Sequence, residues 1–190
     1  MNEKRIMENI KRLRLDQRMS LEQLAMRTGL TRGYLSKIEN SHKAPPFSTL
    51  LKVANGLGVD MAFLLFEDRT TEAPEGAKLS IVRANEEKGV DRKDNAHDYH
   101  YEPLAYRMRE KNMEPFIVLA PLDRKDPVSH EGEEFIYVLQ GAWEFIYGDK
   151  TYLFGPGDSI YFDSSVPHCG KSIGKDRAKV LAVLYSVKRS

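Results

Sequence analysis

The chain has almost no cysteine, no long apolar run and hardly any net charge. Of its 190 residues only Cys169 is a cysteine, which excludes an internal disulfide and predicts a reducing, cytoplasmic setting. The longest apolar runs, FIVLA and VLAVLY, are far too short to span a bilayer, so no membrane partner is expected. The opening MNEKRIMENIKRLR is charged and has no apolar core, unlike a secretory signal. Walker loops, Rossmann glycine patterns, nucleophile elbows and paired-cysteine metal motifs are all absent from the sequence. The net charge of +1 hides an asymmetry. Residues 1–66 hold 11 Lys/Arg against 6 Asp/Glu, whereas residues 67–190 hold 18 against 22. Only the front of the chain is suited to meet a polyanion.

What is present falls into two textures. In residues 1–67 apolar side chains recur at helical spacing, as at Ile6, Ile10 and Leu13. Ser20-Leu21-Glu22-Gln23 reads as a capping box opening a second helix, which stops at Gly29. A third helix opens at Thr31 with Leu35 and Ile38 inward. Pro45 and Pro46 precede a fourth that buries Leu50, Val53, Ala54 and Leu57, and Asp60 caps a short fifth. Residues 68–78 are polar, contain Pro74 and Gly76, and read as a linker. From 79 to 190 the chain breaks into short aromatic and β-branched segments: LSIVRA, YHYEPLA, FIVLAP, FIYVLQG, AWEFIYG, TYLFG, SIYF and AKVLAVLYSV. Gly, Pro and Asp punctuate them, which predicts an all-β sandwich or barrel. The fold class is therefore multidomain, α then β.

In the front domain, TGLTRGYLSKIEN has the shape of a helix-turn-helix. With Leu35 and Ile38 as anchors, Arg32, Gly33, Ser36 and Lys37 fall on the face directed to a major groove. Asn40, Ser41, His42 and Lys43 follow the helix and suit phosphate contact, as does Ser20 at the start of the preceding helix. IKRLR, SLEQLA, TGLTRGYLSKIEN and TLLKVANGLGV together resemble the XRE-type, phage-repressor-like helix-turn-helix family. The resemblance implies a five-helix domain, a dimer, and an Arg14–Glu39 pair bracing the recognition helix. The chain departs from it at Pro46, which stands where a capping Ser is common.

The back half poses a geometric question in VSHEGEEFIYVLQG. On one straight strand His130 and Glu134 would lie roughly 13 Å apart and could not share an ion. A fold-back at Glu131-Gly132 would instead bring the two side chains together inside a barrel. With PGDSIYFDSSVPH further on, this stretch resembles a cupin, a double-stranded β-helix barrel. The likeness rests on His130, Glu134 and Gly141, then on Pro156-Gly157-Asp158 and Pro167-His168. It implies metal ligands at Val128, His130, Glu134 and His168, of which Val128 cannot ligate. The family's closing Asn is Ser172. Two alternatives stay open. One is a divalent ion (Fe, Zn, Ni or Mn) on His130, Glu134 and His168. The other is a metal-free pocket in which the same groups bind an organic ligand. Tyr99, Tyr101, Tyr106 and Arg107 are expected on early strands lining the barrel mouth.

Together the two resemblances imply a regulator without enzymatic activity. An XRE-type domain would bind an inverted-repeat operator as a homodimer, and a cupin domain would bind a small-molecule effector. The alternative is an iron enzyme, since the hydroxypropylphosphonate epoxidase family also joins a helix-turn-helix-like domain to a cupin. His130, Glu134 and His168 match that family's triad, Tyr101 falls near its tyrosine, and Arg18 near its lysine. Pro127, however, stands where that family has a substrate-binding Asn.

Overall fold

The computed structural model describes residues 3–42, 45–65, 78–84, 99–108 and 111–185. Lys43 and the linker 68–78, apart from Lys78, lie outside these residues. The chain divides into two compact units. One comprises Met1–Arg83 with Tyr106–Lys111, the other Ala84–Ala105 with Asn112–Ser190. Among the described residues no helix is long and apolar enough to cross a membrane.

The first unit holds five helices: α1 Glu3–Asp16, α2 Leu21–Thr28, α3 Arg32–Glu39, α4 Phe47–Leu57 and α5 Met61–Leu65. The side chains of Ile6, Met7, Ile10 and Leu13 on α1 are buried, together with Leu24, Leu35, Ile38, Leu50, Val53 and Leu64. The ends are set locally. Gln23 N–H donates to Ser20 Oγ at 3.1 Å while Ser20 N–H donates to Gln23 Oε1 at 2.7 Å, so the capping box is complete. Tyr34 N–H donates to the Thr31 hydroxyl, which makes Thr31 the N-cap of α3 rather than its first residue. Pro46 occupies the N-cap of α4 and makes no side-chain cap bond. Helix α2 packs so closely on α4 that a Cβ at Gly56 would meet Thr28 Cγ2 at 2.5 Å.

The second unit is a pair of antiparallel sheets. Its strands are β1 His100–Pro103, β2 Met113–Leu119, β3 Glu133–Gln140, β4 Ala142–Tyr147, β5 Lys150–Phe154, β6 Ser159–Asp163, β7 His168–Ile173 and β8 Lys179–Tyr185. One sheet runs β1-β2-β8-β3-β6 and the other β5-β4-β7. The register places Glu114, Leu184, Glu134 and Phe162 in one buried row across β2, β8, β3 and β6. The row containing Phe116, Ala182 and Ile136 lies next to it, followed by the row of Val118, Val180 and Val138. Side chains alternate across each strand, so these rows form the inner face.

Two strand expectations are corrected. Leu79–Ala84 forms no strand, and Leu79 and Ile81 are exposed. Alternation alone does not make a strand without a partner ladder. Tyr106 and Arg107 lie in a turn, not on a strand, and belong to the first unit. Strand β1 ends at Pro103; Leu104 N–H still donates to the Pro115 carbonyl at 2.9 Å, but Pro115 has no N–H to return the bond. Arg107 instead donates to the Ile81 carbonyl.

Candidate metal centre and nucleic-acid interface

The fold-back is real and its parts are identifiable. Gly132 sits at φ 109°, a conformation that L side chains rarely adopt. It lets the chain reverse between the bridge at Val128 and the start of β3. Val128 and His168 exchange backbone hydrogen bonds at 2.9 Å each, so the residue that cannot ligate stands opposite one that can. Three side chains then converge. His130 Nε2 lies 2.8 Å from Glu134 Oε1 and His168 Nε2 lies 3.4 Å from the same oxygen. All three side chains are under 10% exposed, at 7%, 9% and 8%.

The orientation of both imidazoles is set from behind. His130 Nδ1 lies 3.2 Å from the Glu131 carbonyl and His168 Nδ1 lies 2.9 Å from the Val166 carbonyl. A carbonyl oxygen only accepts, so each Nδ1 carries the proton and each Nε2 faces the centre. Burial alone would raise the Glu134 pKa. The hydrogen bonds and charges of His130 and His168 outweigh it and hold the carboxyl well below the usual range. Burial would lower His168, but the Glu134 hydrogen bond and charge outweigh it and raise its pKa.

This donor set fits a divalent ion. At metal–ligand bonds of about 2.1 Å, neighbouring donors stand about 3.0 Å apart at right angles and about 3.4 Å apart in a tetrahedron. The two measured separations bracket those values, and one ligand atom from each residue lies within 4.8 Å of the others. Two imidazoles and one carboxylate suit Fe(II) or Zn²⁺, leaving positions for an incoming ligand. Such an ion would supply a Lewis-acid centre for an oxygen donor. Aromatic rings close the surroundings: Phe162 is 5.0 Å and Phe145 6.2 Å from the His168 ring.

Of the other predicted ligand contacts, Tyr106 and Arg107 lie in the turn already described and Tyr101 stands on β1. Tyr101 faces inward opposite Val118, stacked on Tyr99 at 5.8 Å and edge-on to Phe116 at 6.2 Å. In the sheet order β2 and β8 stand between its strand and β3. Tyr99 comes nearer. Its buried hydroxyl, raised in pKa mainly by burial, donates to the Gly170 carbonyl and accepts from the Gly170 N–H, two residues past His168. Ser172 is buried and donates to the Ala120 carbonyl. Cys169 is buried, as a small core residue would be.

In the helical unit, Arg14 and Glu39 meet through two bonds, Nε–Oε1 at 2.6 Å and Nη2–Oε2 at 2.8 Å, with Nη1 donating to the Met19 carbonyl. The Glu39 hydrogen bond, opposed by burial, raises the guanidinium pKa further. This pair pins α3 to the end of α1. Arg32, Gly33, Lys37, Asn40 and His42 are exposed, and Ser36 and Ser41 half-buried. Arg32 lies 2.7 Å from Glu22, but both side chains are more than 60% exposed, at 68% and 61%. Such a pair is cheap to release. The Asn40 amide caps the Ser36 carbonyl, and the Ser20 hydroxyl accepts in the capping box. Sequence reasoning missed two residues. Tyr34 is exposed on α3, beside Gly33, and helical spacing could have included it. Ser164 donates to Glu134 Oε1 at 3.1 Å, and no sequence pattern marks it.

Known proteins resemble both units. Residues 116–184 match the cupin domain family and residues 10–64 the helix-turn-helix family. A helix-turn-helix family transcriptional regulator from Vibrio cholerae has the same fold, with TM-score 0.67 at 20% identity, covering 98% of each chain. The (S)-2-hydroxypropylphosphonic acid epoxidase of Streptomyces wedmorensis is 32% identical over 107 residues, 52% of this chain and 53% of its own length. The match thus spans about half of that enzyme. The immunity repressor protein of Bacillus phage phi105 is 28% identical over 114 residues, 56% of this chain and 78% of its own. The chain joins an XRE-type helix-turn-helix domain, within residues 10–64, to a cupin domain, within residues 116–184.

Proposed function

We propose that this protein is a DNA-binding transcription regulator whose cupin barrel holds a divalent metal on His130, Glu134 and His168 and binds a small effector there. One observation carries the reading. The buried Arg14–Glu39 pair holds α3 so that Arg32, Gly33, Ser36 and Lys37 face away from the core. An operator reader needs that rigid, basic, outward face, and a barrel enzyme has no use for it. The phage repressor and the Vibrio regulator support the same reading. Asn40, Ser41, His42, Lys43 and Ser20 would position the helix on phosphates. The effector acts by binding one DNA-binding state better than the other.

The acting species is a homodimer on an inverted repeat, its half-sites about one helical turn apart. The outer face of the five-stranded sheet offers a second copy an apolar surface, with Met113, Phe135, Tyr137, Tyr161 and Tyr185 exposed. The test is selection from a random duplex pool at physiological salt, with metal analysis of the purified protein. A recovered inverted repeat and one equivalent of metal per chain support the proposal. Uniform binding to every sequence refutes it.

A second reading is supported by the 32% identity to the epoxidase, combined with the His130, Glu134 and His168 set, which the resemblance to that family implies as ligands. It makes the barrel an iron-dependent oxidative site. Pro127, in place of that family's Asn, weighs against it. If the Fe(II) protein consumes an oxidant together with (S)-2-hydroxypropylphosphonate and shows no operator preference, this second reading replaces the first.

A further inference from the structure

The turn between β6 and β7 opens with Ser164, whose side chain and backbone are wholly buried. Ser164 makes three bonds into one short stretch of chain. Its carbonyl accepts from His130 N–H at 3.0 Å and its N–H donates to the Gly132 carbonyl at 3.0 Å. Its hydroxyl donates to Glu134 Oε1 at 3.1 Å. The three partners are the first candidate ligand, the hinge of the fold-back and the second ligand. The Val166 carbonyl, two residues on, orients His168. One buried residue thus ties together both sides of the site.

The two backbone bonds would survive a change of side chain, whereas the hydroxyl bond would not. An ionised carboxylate only accepts, so the Ser164 proton points at Oε1. That oxygen is also the one facing His130 Nε2 and His168 Nε2, at 2.8 and 3.4 Å. With one lone pair given to Ser164, one remains for an ion.

We infer that Ser164 is a positioning residue of the metal centre: its hydroxyl fixes the Glu134 carboxylate so that Oε1 alone serves as ligand, leaving coordination room for an oxygen donor from the effector. This rests on the metal reading proposed above. Partners one step behind a ligand typically change metal affinity on the order of 10–100-fold when removed.

The experiment uses the full chain, Co(II) as probe, calorimetric titration and the visible d–d spectrum. Ser164→Ala is expected to bind Co(II) about 10- to 100-fold more weakly, with a shifted d–d spectrum, while the melting temperature of the metal-free protein is little changed. Ser164→Cys keeps nearly the same volume with a weaker donor and is expected to fall between the two, which keeps the test open should the alanine variant fail to fold. Wild-type affinity and spectrum in the variant that folds would overturn the inference and leave the metal reading standing. Affinity lost only in step with a lower metal-free melting temperature, with an unchanged spectrum, would also overturn it, since Ser164 would then be merely structural. Wild type taking up no Co(II) would instead sink the metal reading and this inference with it.

Discussion

Replacing Arg14 by Ala is the sharpest test of how the recognition helix is held. Both partners are buried, with side chains 9% and 3% exposed, and the pair makes two bonds of 2.6 and 2.8 Å. Removing the guanidinium leaves the Glu39 carboxylate buried without its cation and strips the Met19 carbonyl of a donor. Breaking one side of such a pair costs about 3–5 kcal/mol. In a domain of this size each kcal/mol moves the melting temperature by roughly 4–8 °C, so a drop of at least about 12 °C is expected. Circular dichroism at a helical wavelength, with the β unit's own transition as internal reference, measures it. Replacing both partners by apolar residues, Arg14→Met with Glu39→Leu, should recover stability to within about 1 kcal/mol, because no charge is then stranded. A single-variant loss below about 1 kcal/mol would refute the reasoning and mean that water reaches Glu39. If the double variant melts like wild type yet fails to bind operator DNA, Arg14 or Glu39 contacts the DNA directly and is more than a brace.

Further outcomes are expected in the two units. Lys37→Ala should lose roughly 1–3 kcal/mol on operator DNA and relax base choice, while an equal loss on random DNA would assign Lys37 to phosphate. Gly170→Ala would drive a Cβ into the Trp143 indole, and overpacking of this kind costs about 1–3 kcal/mol. Adding Trp143→Phe should recover part of that in a thermal melt. For pH, Glu134 is held below its ordinary 4.5, so its stabilisation is present above 4.5 and lost as pH falls through the folded value. His168 is raised above 6.5, so its stabilisation is present below 6.5 and lost as pH rises through the folded value. Metal-free protein should therefore be most stable between those limits. Added metal should stabilise it increasingly as pH rises through the raised value of His168, since an imidazole ligates only through an unprotonated Nε2. Denaturant midpoints with and without chelator test this, and a metal effect that shrinks with rising pH would contradict the site.

Much of the architecture was legible because it is decided by neighbours in the chain. The Ser20–Gln23 box, the stop at Gly29 and the apolar faces of α1 and α4 depend on residues within a turn or two. So does the reversal at Gly132, which turns an impossible i,i+4 strand pair into a convergent one. The loss of the fourth ligand that the cupin resemblance implies at Val128 was equally plain, since a valine side chain cannot ligate. What only the tertiary structure decided lies across large separations. Ser164 meets Glu134 from 30 residues away and Tyr99 meets Gly170 from 71. Periodicity carries no trace of such pairs, because a hydroxyl's partner is set by which strands the sheets bring together. The same reason governs Tyr106 and Arg107, which were expected at the barrel mouth. An aromatic and a cation in sequence state only that they can line a site. The end of β1 at Pro103 and the turn after it decided that they belong to the helical unit.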